Sequence, residues 1–160
     1  MNIALTFDDG YREQLVIARY LARRGIKATF FVTTGLKEFM GRELLGPSEI
    51  KEIASMGHEI GSHTVTHIDM TSAPEDVMYR ELVESKRYLS ELLNDDVTSF
   101  AYPYGPIVRL RLGWLGRCIG WLGLRTWARL GITNYLMNMV VWWPLTYAFQ
   151  TYTRCSGSRT

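Results

Sequence analysis

The sequence predicts an α/β fold with parallel strands joined by crossover helices. Two observations carry this. Short β-rich runs at 3–5, 28–32, 58–62 and 98–102 alternate with stretches of helical periodicity at 11–24, 47–56 and 74–93. Gly25 and Gly57 then stop the first two helices just before the next strand begins.

In chain order, Ile3, Ala4 and Leu5 form an apolar run with the composition of a buried strand, followed by Thr6-Phe7-Asp8-Asp9-Gly10. From Tyr11 to Arg24, Leu15, Ala18, Leu21 and Ala22 recur at helical spacing. Lys27 to Val32 supplies the second strand and completes one βαβ unit. Residues 35–46 read as a loop or short irregular helix, and Pro47-Ser48 opens a helix running to about Met56. His58 to Ser62 is a third strand, with His58 at its start and so expected to be a buried, hydrogen-bonded structural histidine. The helix over 74–93 is the clearest. Pro74, Glu75 and Asp76 suit its first turn, and Val77, Leu82, Leu89, Leu92 and Leu93 give it an apolar side. Thr98 to Tyr102 is the fourth strand and ends in Pro103-Tyr104-Gly105. Parallel strands put their C-terminal ends on one face, so residues far apart in sequence can meet there.

Two strand ends carry residue types that do chemistry. Adjacent side chains leaving a strand point to opposite sides, so Asp8 and Asp9 can divide two tasks, binding and proton transfer. The same Asp-Asp-Gly also serves as an ordinary turn, since Asp caps helices and Gly accepts positive φ. Downstream, His63 and His67 stand four apart in Gly61-Ser62-His63-Thr64-Val65-Thr66-His67. They fit either two hydrogen-bonded loop histidines or two ligands of one metal ion. Two imidazoles with a carboxylate leave a coordination position open, which is the composition of a catalytic site.

Taken together, Thr6-Phe7-Asp8-Asp9-Gly10 and His63-Thr64-Val65-Thr66-His67 resemble the first two motifs of the polysaccharide deacetylases, the NodB-homology domains of carbohydrate esterase family 4. The resemblance covers about residues 1–105. It implies a distorted (β/α) barrel, usually of seven strands, of which this chain supplies about four recognisable ones, as a partial or truncated barrel. It implies removal of acetyl groups from N- or O-acetylated carbohydrate. It also implies Zn2+ or another divalent ion held by Asp9, His63 and His67, with Asp8 as the base and the Tyr104 N–H beside the oxyanion. Phe100 to Gly105 resembles a variant third motif. Thr98, Ser99 and Ala101 stand where many members have arginines, one of which holds the catalytic aspartate. The family's later motifs include a histidine that acts as general acid, and no histidine follows His67 in this sequence.

The chain divides by composition into a core, 1–105, and a tail, 106–160. Residues 1–106 hold all 16 acidic residues and 11 of the 18 basic ones, whereas 107–160 hold seven arginines, no lysine and no acid. All five tryptophans and both cysteines, Cys118 and Cys155, also lie in the second stretch, and the cysteines lack metal-site spacing. Three readings of the tail stay open: a divergent segment packed as helices over the open barrel, a membrane-associated segment at 130–153, or a frame-shifted or truncated remnant. The net charge of +2 gives no reason to expect a nucleic-acid partner. Met1 and Asn2 lead straight into the first strand, so the expectation is a cytoplasmic chain without an N-terminal export signal. Two further function classes stand beside the deacetylase: a non-catalytic metal- or glycan-binding module, and a barrel amidase acting on small non-sugar amides.

Overall fold

The computed structural model describes residues 3–104 together with 118, 122, 123, 125–127 and 138–141. Its centre is a six-stranded sheet formed by β1 (Ile3–Phe7), β2 (Thr29–Val32), β5 (Glu59–Ser62), β6 (Ser99–Ala101), β7 (Arg125–Trp127) and β8 (Asn138–Val141). The spatial order is β7-β6-β5-β2-β1-β8. The first five strands of that order run parallel, and β8 is antiparallel on the β1 edge, with Thr6 opposite Asn138. Among the described residues the sheet stays open, so the α/β class appears as a curled half-barrel rather than a closed one.

Three helices cross between the strands: α1 (Gln14–Ala22), α2 (Pro47–Ser55) and α3 (Glu75–Leu93). Their apolar faces bury against the sheet as the periodicity requires. Leu15, Ala18 and Leu21 of α1, Ile50 and Ile53 of α2 and Leu89 of α3 meet Phe7, Phe30, Val32 and Ile60 in one cluster. Met78 and Leu82 of α3 pack with Met70, Phe100 and Tyr102 in a second. Each such side chain, fully buried, is worth roughly 1.5–3 kcal/mol. That anchors the strand ends on which the site is built.

Three expectations need correction. The stretch 35–46 is neither loop nor helix throughout: β3 (Glu38–Phe39) and β4 (Arg42–Glu43) form an antiparallel hairpin. Met40 and Gly41 take φ of 50° and 74° at its tip, the pair of positive φ values that matches the twist of a two-residue hairpin. The first helix begins at Gln14 rather than Tyr11. Tyr11 bridges to Leu44 and the Arg12 N–H bonds the Glu43 carbonyl at 3.0 Å, so this stretch belongs to the hairpin's surroundings. On α3 the buried face is not wholly apolar, since it carries Glu81 and Ser85 between Met78 and Leu89.

Two stretches of the 106–160 tail, β7 and β8, are strands hydrogen-bonded into the sheet rather than helices packed over it. The proposed membrane segment at 130–153 lies outside the described residues except for β8. Among the described residues no helix is long and apolar enough to cross a membrane.

Candidate metal centre

The C-terminal ends of β1 and β5 sit two strands apart, separated by β2, and their following loops turn toward each other. Asp9 leaves β1 with φ of 74°, and Thr64 and His67 leave β5 with φ of 70° and 57°. Positive φ at non-glycine residues is costly and persists only where surroundings enforce it. Asp9 and His67 thereby converge with His63 on one point. The His63 Nε2 lies 3.3 Å and the His67 Nε2 3.1 Å from the same Asp9 oxygen, Oδ1. One donor atom from each residue falls within 4.8 Å of the others.

Hydrogen bonds fix what those atoms offer. His63 is 2% exposed, and its Nδ1–H donates to the Ala101 carbonyl at 2.9 Å, because a carbonyl can only accept. A neutral His63 therefore turns a lone pair toward Asp9. His67 is also buried, and its Nδ1 has no hydrogen-bond partner among the described residues. Two imidazole nitrogens and a carboxylate oxygen thus converge with more acceptors than protons to share. That electrostatic problem is solved by a cation, either a proton or a divalent metal ion. The donor set, two nitrogens and one oxygen with room for a further ligand, fits zinc. In the metal-free chain burial pushes the Asp9 carboxyl up. Where protons rather than a metal supply the positive charge, the hydrogen bonds and charge of His63 and His67 outweigh burial and hold the carboxyl well below the usual carboxylate range.

Aromatic rings wall the cluster. Phe39 of the hairpin lies 4.4 Å from the His67 ring, centroid to centroid, and Tyr104 meets the same ring edge-on at 4.8 Å. Tyr104 has φ of 62° and is 58% exposed. Tyr11 stacks toward Phe39 at 6.5 Å, and the Arg42 guanidinium covers the Tyr11 ring at 3.7 Å. Burial, then the negative charge of Asp9, pushes the Tyr11 phenol up.

Of the five residues singled out from sequence, Asp9, His63 and His67 form one cluster and Tyr104 lies against it. Asp8 is half-buried beside Asp9, and its backbone carbonyl accepts a 2.6 Å hydrogen bond from Gln14 Nε2. His58, at the opposite end of β5, accepts from the Ala28 N–H through Nδ1 and donates from Nε2 to the Ala18 carbonyl at 2.9 Å. It is structural, as expected from its position. Residues absent from the sequence reading include Phe39, Tyr11 and Glu81. The only advance sign of Glu81 was an acid interrupting the apolar face of α3.

The family model for polysaccharide deacetylase matches residues 1–112. A peptidoglycan-N-acetylglucosamine deacetylase of Bacillus cereus is 32% identical over 115 residues, which are 71% of this chain and 40% of that protein. A chitooligosaccharide deacetylase of Rhizobium leguminosarum bv. trifolii is 36% identical over 87 residues, 52% of this chain and 37% of that protein. Among solved structures, the Streptococcus pyogenes deacetylase PplD in complex with acetate superposes with a TM-score of 0.64 at 34% identity. That match covers 72% of this chain and 51% of PplD. The chain therefore spans about two-fifths of the length of these two curated relatives, and about half of PplD.

Proposed function

The chain belongs to the polysaccharide deacetylase family, and from that premise we propose that it is a metal-dependent hydrolase removing acetyl groups from N- or O-acetylated carbohydrate. The observation that carries this reading is the convergence of Asp9, His63 and His67 on a point short of protons. These three residues would hold Zn2+ or a similar divalent ion. A bound ion supplies positive charge that acidifies water and polarises an acetyl carbonyl.

The remaining roles fall to the chain's own groups. Asp8, leaving β1 beside the ligand Asp9, takes the proton of the attacking water, a contribution typically worth about 10²–10⁴ in rate. The Tyr104 N–H donates to the developing oxyanion, with one such donor typically worth about 10²–10³. Phe39 and the exposed Tyr104, both set against the His67 ring, offer apolar surface to a sugar ring. Acetylated carbohydrate is thus the substrate class, in line with what the relatives' names state of those proteins.

One sequence feature bends this proposal. No histidine occurs in residues 68–160, so no imidazole from that stretch can protonate a leaving amine. An alkoxide leaves more readily than an amine anion, so acetyl esters depend less on an imidazole acid. The test is to load the chain with zinc and compare acetate release from an O-acetylated xylo-oligosaccharide and an N-acetylglucosamine oligomer. Ester turnover is expected to exceed amide turnover. Equal turnover of both substrates would count against this reading.

The same sequence feature supports a second reading, a metal- or glycan-holding module without turnover. It predicts zinc binding with no acetate release from either substrate.

A further inference from the structure

We propose that Glu81 is the positioning residue that shapes the two-histidine loop for its cation. This rests on the metal reading of Asp9, His63 and His67. Glu81 stands on the buried face of α3 between Met78 and Leu82, 8% exposed, where an apolar side chain would be the simpler choice. Its carboxylate is fully employed on the loop. Oε2 accepts the Val65 N–H at 2.7 Å and the Thr66 N–H at 2.9 Å, and Oε1 accepts the Thr66 hydroxyl at 2.7 Å.

Those two amides belong to the residues between the positive-φ positions Thr64 and His67. The turn they make points successive N–H groups to one side, and an anion there stabilises a conformation that costs energy by itself. The carbonyls are pinned from the β2 side: the Thr34 N–H donates to the Thr64 carbonyl at 3.2 Å and the Gly35 N–H to the Val65 carbonyl at 2.8 Å. The loop is therefore clamped between main chain on one side and Glu81 on the other. Among the described residues, Glu81 is the one side chain outside 62–67 shown hydrogen-bonding to residues 64–67 apart from Asp9 at the ring of His67. Removing it frees Thr64 and His67 to relax toward ordinary φ, which rotates His67 off Asp9. Glu81 touches neither ligand nor substrate, so its effect reaches the metal only through the loop.

The test compares zinc affinity, by competition with a chromophoric chelator, with the melting temperature of the metal-free chain. Glu81→Gln keeps the size but replaces the charged carboxylate with a neutral amide that has one accepting oxygen in place of two. Lys86→Met, on the same helix, removes the contacts of Lys86 with Asp96 and the Val97 carbonyl, away from the loop. The expected result is a loss of zinc affinity of about 10–100-fold in Glu81→Gln, the usual range when a group supporting metal ligands is removed. Lys86→Met should lower the melting temperature and leave affinity at wild type. Amide hydrogen exchange of Val65 and Thr66 in the metal-free chain should be slow in wild type and fast in Glu81→Gln. Wild-type affinity in Glu81→Gln would overturn the inference and leave the metal reading intact. A folded wild-type chain without zinc affinity would overturn both.

Discussion

The two ends of β5 each carry buried histidine, and they use it in opposite ways. At the start of the strand both nitrogens of His58 are engaged by backbone, the Ala28 N–H and the Ala18 carbonyl, and Phe30 packs edge-on against the ring at 5.3 Å. Nothing is left over to bind an ion. At the far end His63 spends one nitrogen on the Ala101 carbonyl and aims the other at Asp9, where His67 aims one too. Burial alone does not separate the two cases, since all three rings are nearly inaccessible. What separates them is whether each ring's donors and acceptors are satisfied within the fold.

Substituting at each end should sharpen that contrast. The largest expected effect is on turnover. His63→Ala or Asp9→Ala should reduce ester hydrolysis by more than the about 10²–10³ that a single oxyanion donor supplies. Assays with added zinc will show whether activity returns, and full recovery would argue against ligand roles. At the other end, His58→Leu strands the Ala28 N–H and the Ala18 carbonyl, each worth about 1–3 kcal/mol when left unpaired. Denaturant unfolding should report that loss while hydrolysis by the folded chain persists. If His58→Leu loses activity without losing stability, the distinction between the ends collapses.

Smaller effects are expected around the loop. A Cβ on Gly35 would approach the Val65 Cγ1 to 2.5 Å and the Val65 carbonyl oxygen to 3.0 Å. Gly35→Ala must displace the segment before His67, at a cost of about 1–3 kcal/mol for overpacking. Zinc titration should show weaker binding than wild type. The smallest effect concerns acid. Asp9 is held below its ordinary value in the fold, so it contributes stability above the unfolded carboxylate pKa of about 3.9. That contribution fades as pH falls toward the lower folded value. Thermal melts of the metal-free chain should therefore show the gap between wild type and Asp9→Asn narrowing as pH is lowered below about 4.

Much of this arrangement was legible in the sequence because the signals were local. Period-3.6 apolar spacing marks α1 to α3, β-rich runs mark β1, β2, β5 and β6, and the two motifs hold the three residues that converge. The hairpin at 38–43 was not legible because Met40 occupies a left-handed position that Asn or Gly usually signals. β7 and β8 depend on non-local pairing with β6 and β1, and nothing in Arg125–Trp127 or Asn138–Val141 announces those partners. Glu81 escaped notice for a related reason. Periodicity counts apolar residues, so a buried carboxylate reads as a flaw in the helix face until its three partners in the loop are seen.

The central claim is that the fold leaves one set of histidines short of a positive charge and satisfies the other. Metal content of the purified, folded chain by elemental mass spectrometry tests it most directly, with His63→Ala, Asp9→Ala and His58→Leu measured alongside. The account predicts about one equivalent of divalent metal in wild type and His58→Leu, as a single three-ligand site holds, and none in the other two. A folded wild-type chain without metal, or metal retained in both His63→Ala and Asp9→Ala, would contradict it.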